Sequence, residues 1–156
     1  MFRFERDRLR EAQGGSFALQ RAIRFQDVDA AGIIFYARAF DLCHDVYVEF
    51  LTHAGQPLHV ALTGPWVAPI RHAEADYIRP LRFGDQVEVA LVAAHLGPSV
   101  PPTEVTLGFR ISTLPAREVH VLVQSVHTFV TRERFQRTPV PEAIIVALDA
   151  AGVLDT

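Results

Sequence analysis

The segment FQDVDAAGIIFYARAF, residues 25–40, sets two carboxylates, Asp27 and Asp29, ahead of a small Gly-containing turn and an apolar, aromatic-rich run. A carboxylate placed there serves as nucleophile or general base when a reacting carbon is brought to it. Asp before a turn is also the residue that closes turns and caps helices. Gly32, three residues after Asp29, allows a turn and the close approach of a ligand to backbone. A helix then begins near Tyr36, where unpaired N–H groups and the positive end of the macrodipole are able to polarise a carbonyl oxygen. Asp27 reads as structural, capping the turn or orienting local backbone.

Further candidates lie downstream. His44 falls eight residues after Tyr36, about 80° around a helix axis. It reads as a pocket group or as a helix histidine satisfied by its neighbours. In IRHAEADY, strand alternation would put His72, Glu74 and Asp76 on one face, lining a pocket or lying on a solvated or inter-subunit face. Arg132, Arg134 and Arg137 alternate out of the last strand, suited to phosphate contact or to guarding a strand edge. No H-x-x-x-H or comparable pair occurs, so neither metal nor cofactor is expected.

The elements that must position these groups follow from periodicity. From Tyr36 to His53, Tyr36, Phe40, Cys43, Tyr47, Phe50 and Leu51 recur at three- and four-residue spacing, with Asp41, Asp45 and Glu49 on another face. This predicts an amphipathic helix ended by Gly55 and Pro57. Phe17 to Phe25 suits a first strand. Alternation and β-branched content predict four more over Ala68–Arg79, Gln86–His95, Glu104–Thr113 and Glu118–Thr131, joined by Pro- or Gly-bearing links. One strand, one long helix and a run of hairpin-linked strands give an α+β fold in one domain, an antiparallel sheet of about five strands with one helix on a face. Residues 1–15, charged and ending in Gly-Gly, read as a mobile extension or short exposed helix, with the domain over 16–156.

The chain has 156 residues, enough for one core without staples, and its lone Cys43 excludes an internal disulfide. Net charge is −3, and all fifteen basic residues are arginines, so no global attraction to nucleic acid is expected. No apolar run spans a bilayer and the first residues lack a signal-peptide core, so a cytoplasmic protein is expected, with no membrane partner.

The ordered motifs D-x-D-A-A-G with two aliphatics and two aromatics, C-H-x-x-Y, P-I-x-H-A-x-x-D-Y-x-R-P and G-D-Q, within residues 21–90, resemble the 4-hydroxybenzoyl-CoA thioesterase family of hot-dog enzymes. Within it the chain is most similar to the 1,4-dihydroxy-2-naphthoyl-CoA hydrolases of quinone biosynthesis. The resemblance weakens past residue 90 and omits residues 1–15. It implies a sheet wrapped around one helix and hydrolysis of an acyl-CoA thioester. Asp29 would be the nucleophile or base and the Tyr36 amide the oxyanion donor. For such a substrate Gly32, Phe35, Phe40, His44 and His72 are the candidates for the acyl pocket, with His44, whose matching position in the family carries an acidic residue, reading a ring hydroxyl. Because coenzyme A carries phosphates, a basic rim is expected, and Arg132, Arg134 and Arg137 are its candidates. Sites between paired subunits are implied, in a dimer at least and by resemblance a homotetramer. The family's basic cluster between the third and fourth strands has no counterpart in HLGPSVPPTE. A general short- or medium-chain acyl-CoA thioesterase is the alternative, and a non-catalytic acyl-CoA-binding module a lesser one.

Overall fold

The computed structural model describes residues 1–155. Its elements in chain order are α1 (Arg6–Arg10), β1 (Phe17–Ala22), a 3₁₀ turn (Phe25–Asp27), α2 (Ala37–His53), α3 (Leu58–Ala61), β2 (Trp66–Val67), β3 (Ile70–Tyr77), β4 (Gln86–Leu96), β5 (Glu104–Thr113), β6 (Glu118–Thr128), β7 (Val130–Thr131) and α4 (Glu142–Ala150). Five strands form one sheet in the order β1-β4-β5-β6-β3, every pair antiparallel, while β2 and β7 form a separate pair.

Helix α2 lies on one face of this sheet, giving the expected hot-dog arrangement. Its Ala39, Leu42, Cys43, Val46, Phe50 and Leu51 are buried, the stripe that the sequence periodicity predicts. The helix ends in a Schellman motif: Gly55 N–H donates to Thr52 O and Gln56 N–H to Leu51 O, with Gly55 at φ 76°. Opposite α2, Val105, Leu107, Phe109 and Ile111 of β5 pair in register with His127, Ser125, Val123 and Val121 of β6. Residues directly across a ladder share a face, so all eight side chains face the helix.

In β4 the register shifts between Leu91 and Ala93, a bulge at Val92. Val87, Val89 and Leu91 before it, and Ala94 after it, all enter the α2 core. Beyond Phe17, where β1 begins, the open edge of β4 is taken by the C-terminal tail: Ala94 N–H donates to Val153 O and Asp155 N–H to Ala94 O. Helix α4, absent from the sequence expectation, adds Ile144 and Leu148 to the core.

Three local expectations are corrected. The first strand ends at Ala22, because Arg24–Asp27 closes a capped turn rather than extending the ladder. The segment over 118–131 divides, and Val130–Thr131 peels off to pair with Trp66–Val67, two residues ahead of the expected strand over 68–79, which runs from Ile70 to Tyr77. Residues 1–15, expected as a mobile extension or a short exposed helix, do hold the short helix α1, but residues 2–12 are docked on the sheet's outer face. Phe4 and Leu9 are buried there against Ala90, Val92, Ala93 and Leu122. Buried Gln124 accepts from Phe4 N–H at 2.8 Å and donates to Phe4 O at 3.1 Å, and Arg3 pairs with Glu74.

Candidate active site

The turn bearing Asp29 is a short closed loop. Val28 bridges Ile34, Asp29 N–H donates to Ile33 O at 2.9 Å, and Gly32 N–H donates to Asp29 O at 3.0 Å. Gly32 takes φ 75°, a conformation that a side chain would strain. The loop is tied to the crossover link between β3 and β4 by Ile34 N–H to Leu81 O at 2.8 Å. Asp29 itself is exposed. Its Oδ1 accepts from Ala31 N–H at 2.8 Å, an Asx turn, and among the described residues no protein donor reaches Oδ2. One carboxylate oxygen thus shapes the loop while the other faces an open cleft of about 700 Å³ bordered by Phe25, Val28, Gly32 and Phe83.

Asp27 sits differently. It is 3% exposed and accepts from Arg24 N–H at 2.8 Å and from Arg24 Nε and a terminal guanidinium nitrogen at 3.1 Å. These bonds to Arg24 hold its carboxyl below the usual range, against the desolvation that pushes it up. Its carbonyl accepts Phe35 N–H at 2.9 Å. Asp27 therefore fixes the chain immediately before α2, and its oxygens are committed to that structural task.

Tyr36 precedes the first helical residue of α2. Phe35 N–H donates to Asp27 O and Arg38 N–H to Phe35 O, while among the described residues the Tyr36 and Ala37 N–H groups meet no acceptor. Free amides at the positive end of a 17-residue helix are suited to an oxyanion. The Tyr36 carbonyl accepts the Tyr77 hydroxyl from β3, which ties this helix start to the sheet. Phe35 and Tyr36 expose their rings, 45% and 63% respectively.

Further along α2, His44 borders two cavities. One of about 280 Å³ has an apolar wall including Val48, Leu51, Leu58, Leu62 and Trp66. The other, about 50 Å³, is a slot between α2 and the sheet that also includes Phe40. Tyr47 borders both, and burial pushes its phenol up to about 12.

The remaining candidates are dispersed. His72 pairs across from Val126, with Glu74 opposite Gln124 and Asp76 opposite Leu122, so these three share the outer face of the sheet, away from His44. There His72 Nε2 lies 3.0 Å from Glu74, and Arg6 meets Asp76 at 3.6 Å. The three arginines do not alternate along a strand. Residues 132–134 form a turn after β7, and Arg137 lies on the return, where Val130 bridges it. Arg132 donates to Gly64 O and Ala61 O at 2.7 Å, fastening the α3–β2 loop. Arg137 donates to Thr103 and to Glu104, both at 3.3 Å. Glu104 is buried and held below the usual carboxylate range chiefly by Arg71. Arg134 is exposed and has no partner among the described residues.

Sequence reasoning missed His127, buried on the face of β6 toward α2 and bordering the slot. The signal was present: in VLVQSVHTF a serine and a histidine interrupt an alternation whose other inward members are apolar.

Comparison with known proteins gives a concordant result. The 1,4-dihydroxy-2-naphthoyl-CoA hydrolase of Synechococcus elongatus is 32% identical over 130 residues, covering 82% of this chain and 91% of that protein. The enzyme of the same name from Nostoc punctiforme is 40% identical over 83 residues, 53% of this chain and 56% of that one. Among solved structures, a 1,4-dihydroxy-2-naphthoyl-CoA thioesterase from Synechocystis superposes with TM-score 0.77 at 21% identity, covering 86% of this chain and 96% of that chain. The family model of the Thioesterase-like superfamily matches residues 23–148, spanning the Asp29 loop and every strand of the sheet but β1, and the chain belongs to that superfamily.

Proposed function

We propose that this protein hydrolyses an aromatic acyl-CoA thioester, with 1,4-dihydroxy-2-naphthoyl-CoA as substrate. The observation that carries the reading is Asp29, with one carboxylate oxygen unpartnered, on a loop that leads into the unpaired amides of α2. The names of the relatives over most of the chain support the substrate. In the reaction the thioester carbonyl oxygen accepts from the Tyr36 N–H. Asp29 either adds to the carbonyl carbon, giving an anhydride that water then opens, or takes a proton from the water that adds. The C–S bond breaks, and CoA leaves as a thiolate that acquires a proton. Hydrolysis in ¹⁸O-water under single-turnover conditions reveals direct attack where water opens the anhydride at the aspartyl carbonyl, because solvent oxygen then stays in Asp29 and an Asp29 oxygen leaves in the product.

Gly32, Phe35 and Phe40 border the acyl group in this reading, and His44 meets a ring hydroxyl at the rim. The CoA phosphates meet Arg134, with Arg132 and Arg137 beside it. His72 has no part in the same subunit's pocket. The site is completed by a second copy of the chain, in a dimer at least and a tetramer by family resemblance. Among the described residues no helix is long and apolar enough to cross a membrane.

A second reading has one observation in its favour. The cavity of about 280 Å³ is walled by Leu51, Leu58 and Leu62, which suits an alkyl chain and hence a general short- or medium-chain acyl-CoA thioesterase. Measuring kcat/KM for 1,4-dihydroxy-2-naphthoyl-, benzoyl- and hexanoyl-CoA decides between them. Equal rates on hexanoyl-CoA and the naphthoyl substrate would discard the aromatic assignment.

A further inference from the structure

The wall of the slot opposite α2 is apolar except at two positions. On β6, Val121, Val123, Ser125 and His127 face the helix, paired with Ile111, Phe109, Leu107 and Val105. His127 is 2% exposed. Its Nε2 lies 2.9 Å from Ser125 Oγ, whereas its Nδ1 is the one buried side-chain polar atom among the described residues without a hydrogen-bond partner. The Ala68 carbonyl lies near enough to favour the charged ring without completing a bond to Nδ1. Burial and the neighbouring His44 outweigh it and push the ring down to about 4, so at neutral pH His127 is an uncharged hydrogen-bonding group.

Leaving a buried polar atom unpaired is costly, and a valine in this wall would avoid the cost. The slot beside His127 is about 50 Å³, and its walls Tyr47 and His44 also belong to the cavity of about 280 Å³. It is therefore a polar-ended annex of the larger cavity. The Tyr47 ring stands between them with its centroid 4.6 Å from that of His127.

We propose that His127 is a specificity-determining residue whose Nδ1 hydrogen-bonds a ring hydroxyl of the acyl group as that ring enters the slot past Tyr47. This rests on the aromatic acyl-CoA reading and deepens it. Ser125 fixes one ring nitrogen, which leaves Nδ1 as a single directed donor or acceptor. A phenolic hydroxyl both donates and accepts, so it satisfies Nδ1 in either tautomer, and a hydrogen atom in its place satisfies neither. A site built to pair a hydroxyl rejects the analogue lacking it far more strongly than an apolar pocket separates similar shapes.

The test compares kcat/KM for 1,4-dihydroxy-2-naphthoyl-CoA and 2-naphthoyl-CoA in wild type, His127→Asn and His127→Gln. The Asn amide reaches the position of Nδ1, and the Gln amide reaches that of Nε2. The ratio of the two substrates should fall about 10- to 100-fold in His127→Gln and stay within about threefold of wild type in His127→Asn. An unchanged ratio in His127→Gln, as when a buried water rather than substrate meets Nδ1, overturns the proposal. An equal loss in both variants, the mark of a purely structural role, does so too. Wild type without a preference for the hydroxylated substrate removes the aromatic reading as well; a wild-type preference that survives His127→Gln removes this proposal alone. Should the variants fail to fold, ¹⁵N-histidine spectra of wild type supply the readout. The Nδ1 resonance of His127 should move with free 1,4-dihydroxy-2-naphthoate and stay still with 2-naphthoate, and a still resonance in both overturns the proposal.

Discussion

Asp29 makes its turn with one carboxylate oxygen and leaves the other without a protein donor, so under the proposed mechanism fold and catalysis are separable at one position. In Asp29→Asn the amide oxygen still accepts Ala31 N–H, so the loop and thermal midpoint should be retained. Hydrolysis should fall by at least about 10²- to 10⁴-fold, the usual loss of a general base, and further if Asp29 is the nucleophile. Turnover within threefold of wild type takes Asp29 out of the mechanism. His127 offers a residue-scale test that needs no substrate. Its folded pKa, about 4, lies below the ordinary 6.5, so the unfolded chain takes up a proton first as pH falls. The stability that this neutral ring contributes is fully present above about pH 6.5 and is lost between there and pH 4. The loss approaches about 3 kcal/mol, taking 1.36 kcal/mol per pH unit. Asp27 and Glu104, held below their ordinary values of 3.8 and 4.5, lose their contributions at lower pH still. Urea titrations across pH 7 to 4 should show this decline in wild type and a flatter line in His127→Phe. Parallel lines in the two proteins would refute the assignment.

At the scale of elements, α1 docks where the sheet leaves room for it. A Cβ built on Gly108 would stand 2.3 Å from Leu9 Cδ2 and 3.3 Å from a Phe4 ring carbon, so Gly108 is the socket for the N-terminal segment. Gly108→Ala should displace α1 and cost about 1–3 kcal/mol, as overpacking does. Leu9→Ala should cost about 2–5 kcal/mol by emptying the same site. In both, limited proteolysis should cut within residues 1–15 faster than in wild type, and unchanged cleavage would mean that the segment is not held by this contact. The pairing also explains what the sequence concealed. The α2 stripe, its Gly55 stop and the three long hairpin strands were legible because each is encoded in local period or local turn chemistry. The docking of Phe4 and Leu9 was not, since it depends on the absence of a side chain a hundred residues away. The run VEVALVAA in β4 did hint at it, because an apolar run on both phases of a strand needs cover on both faces. Asp29, Tyr36 and His44 were legible through an ordered motif. His127 needed the strand's register, and the arginine turn after β7 needed the break at Phe129 that no local signal marked.

At the scale of the molecule, the surface around the Asp29 loop carries exposed aromatic side chains suited to contact with a second copy of the chain. Phe25 and Phe83 are 80% and 62% exposed and meet edge to face at 6.4 Å, beside the candidate carboxylate. Phe35, Tyr36 and Tyr77 are also exposed, and β3, the sheet-edge strand carrying Tyr77, exposes Ile70. An unpaired edge strand with apolar side chains templates pairing with another chain, and a two-fold interface satisfies it with the same surface from both partners. Burying Phe25 and Phe83 under a second copy would also exclude water from the thioester, which strengthens the pull of the Tyr36 amide on the oxyanion. Activity should therefore depend on assembly. Sedimentation velocity at assay concentration should show a dimer or larger species, and specific activity should fall on dilution along the curve of dissociation. Phe83→Glu, which leaves Asp29 and Tyr36 unchanged, should shift that curve to higher protein concentration as it places a charge in the contact. A monomer that hydrolyses at the full rate at every dilution would show that one chain closes its own site.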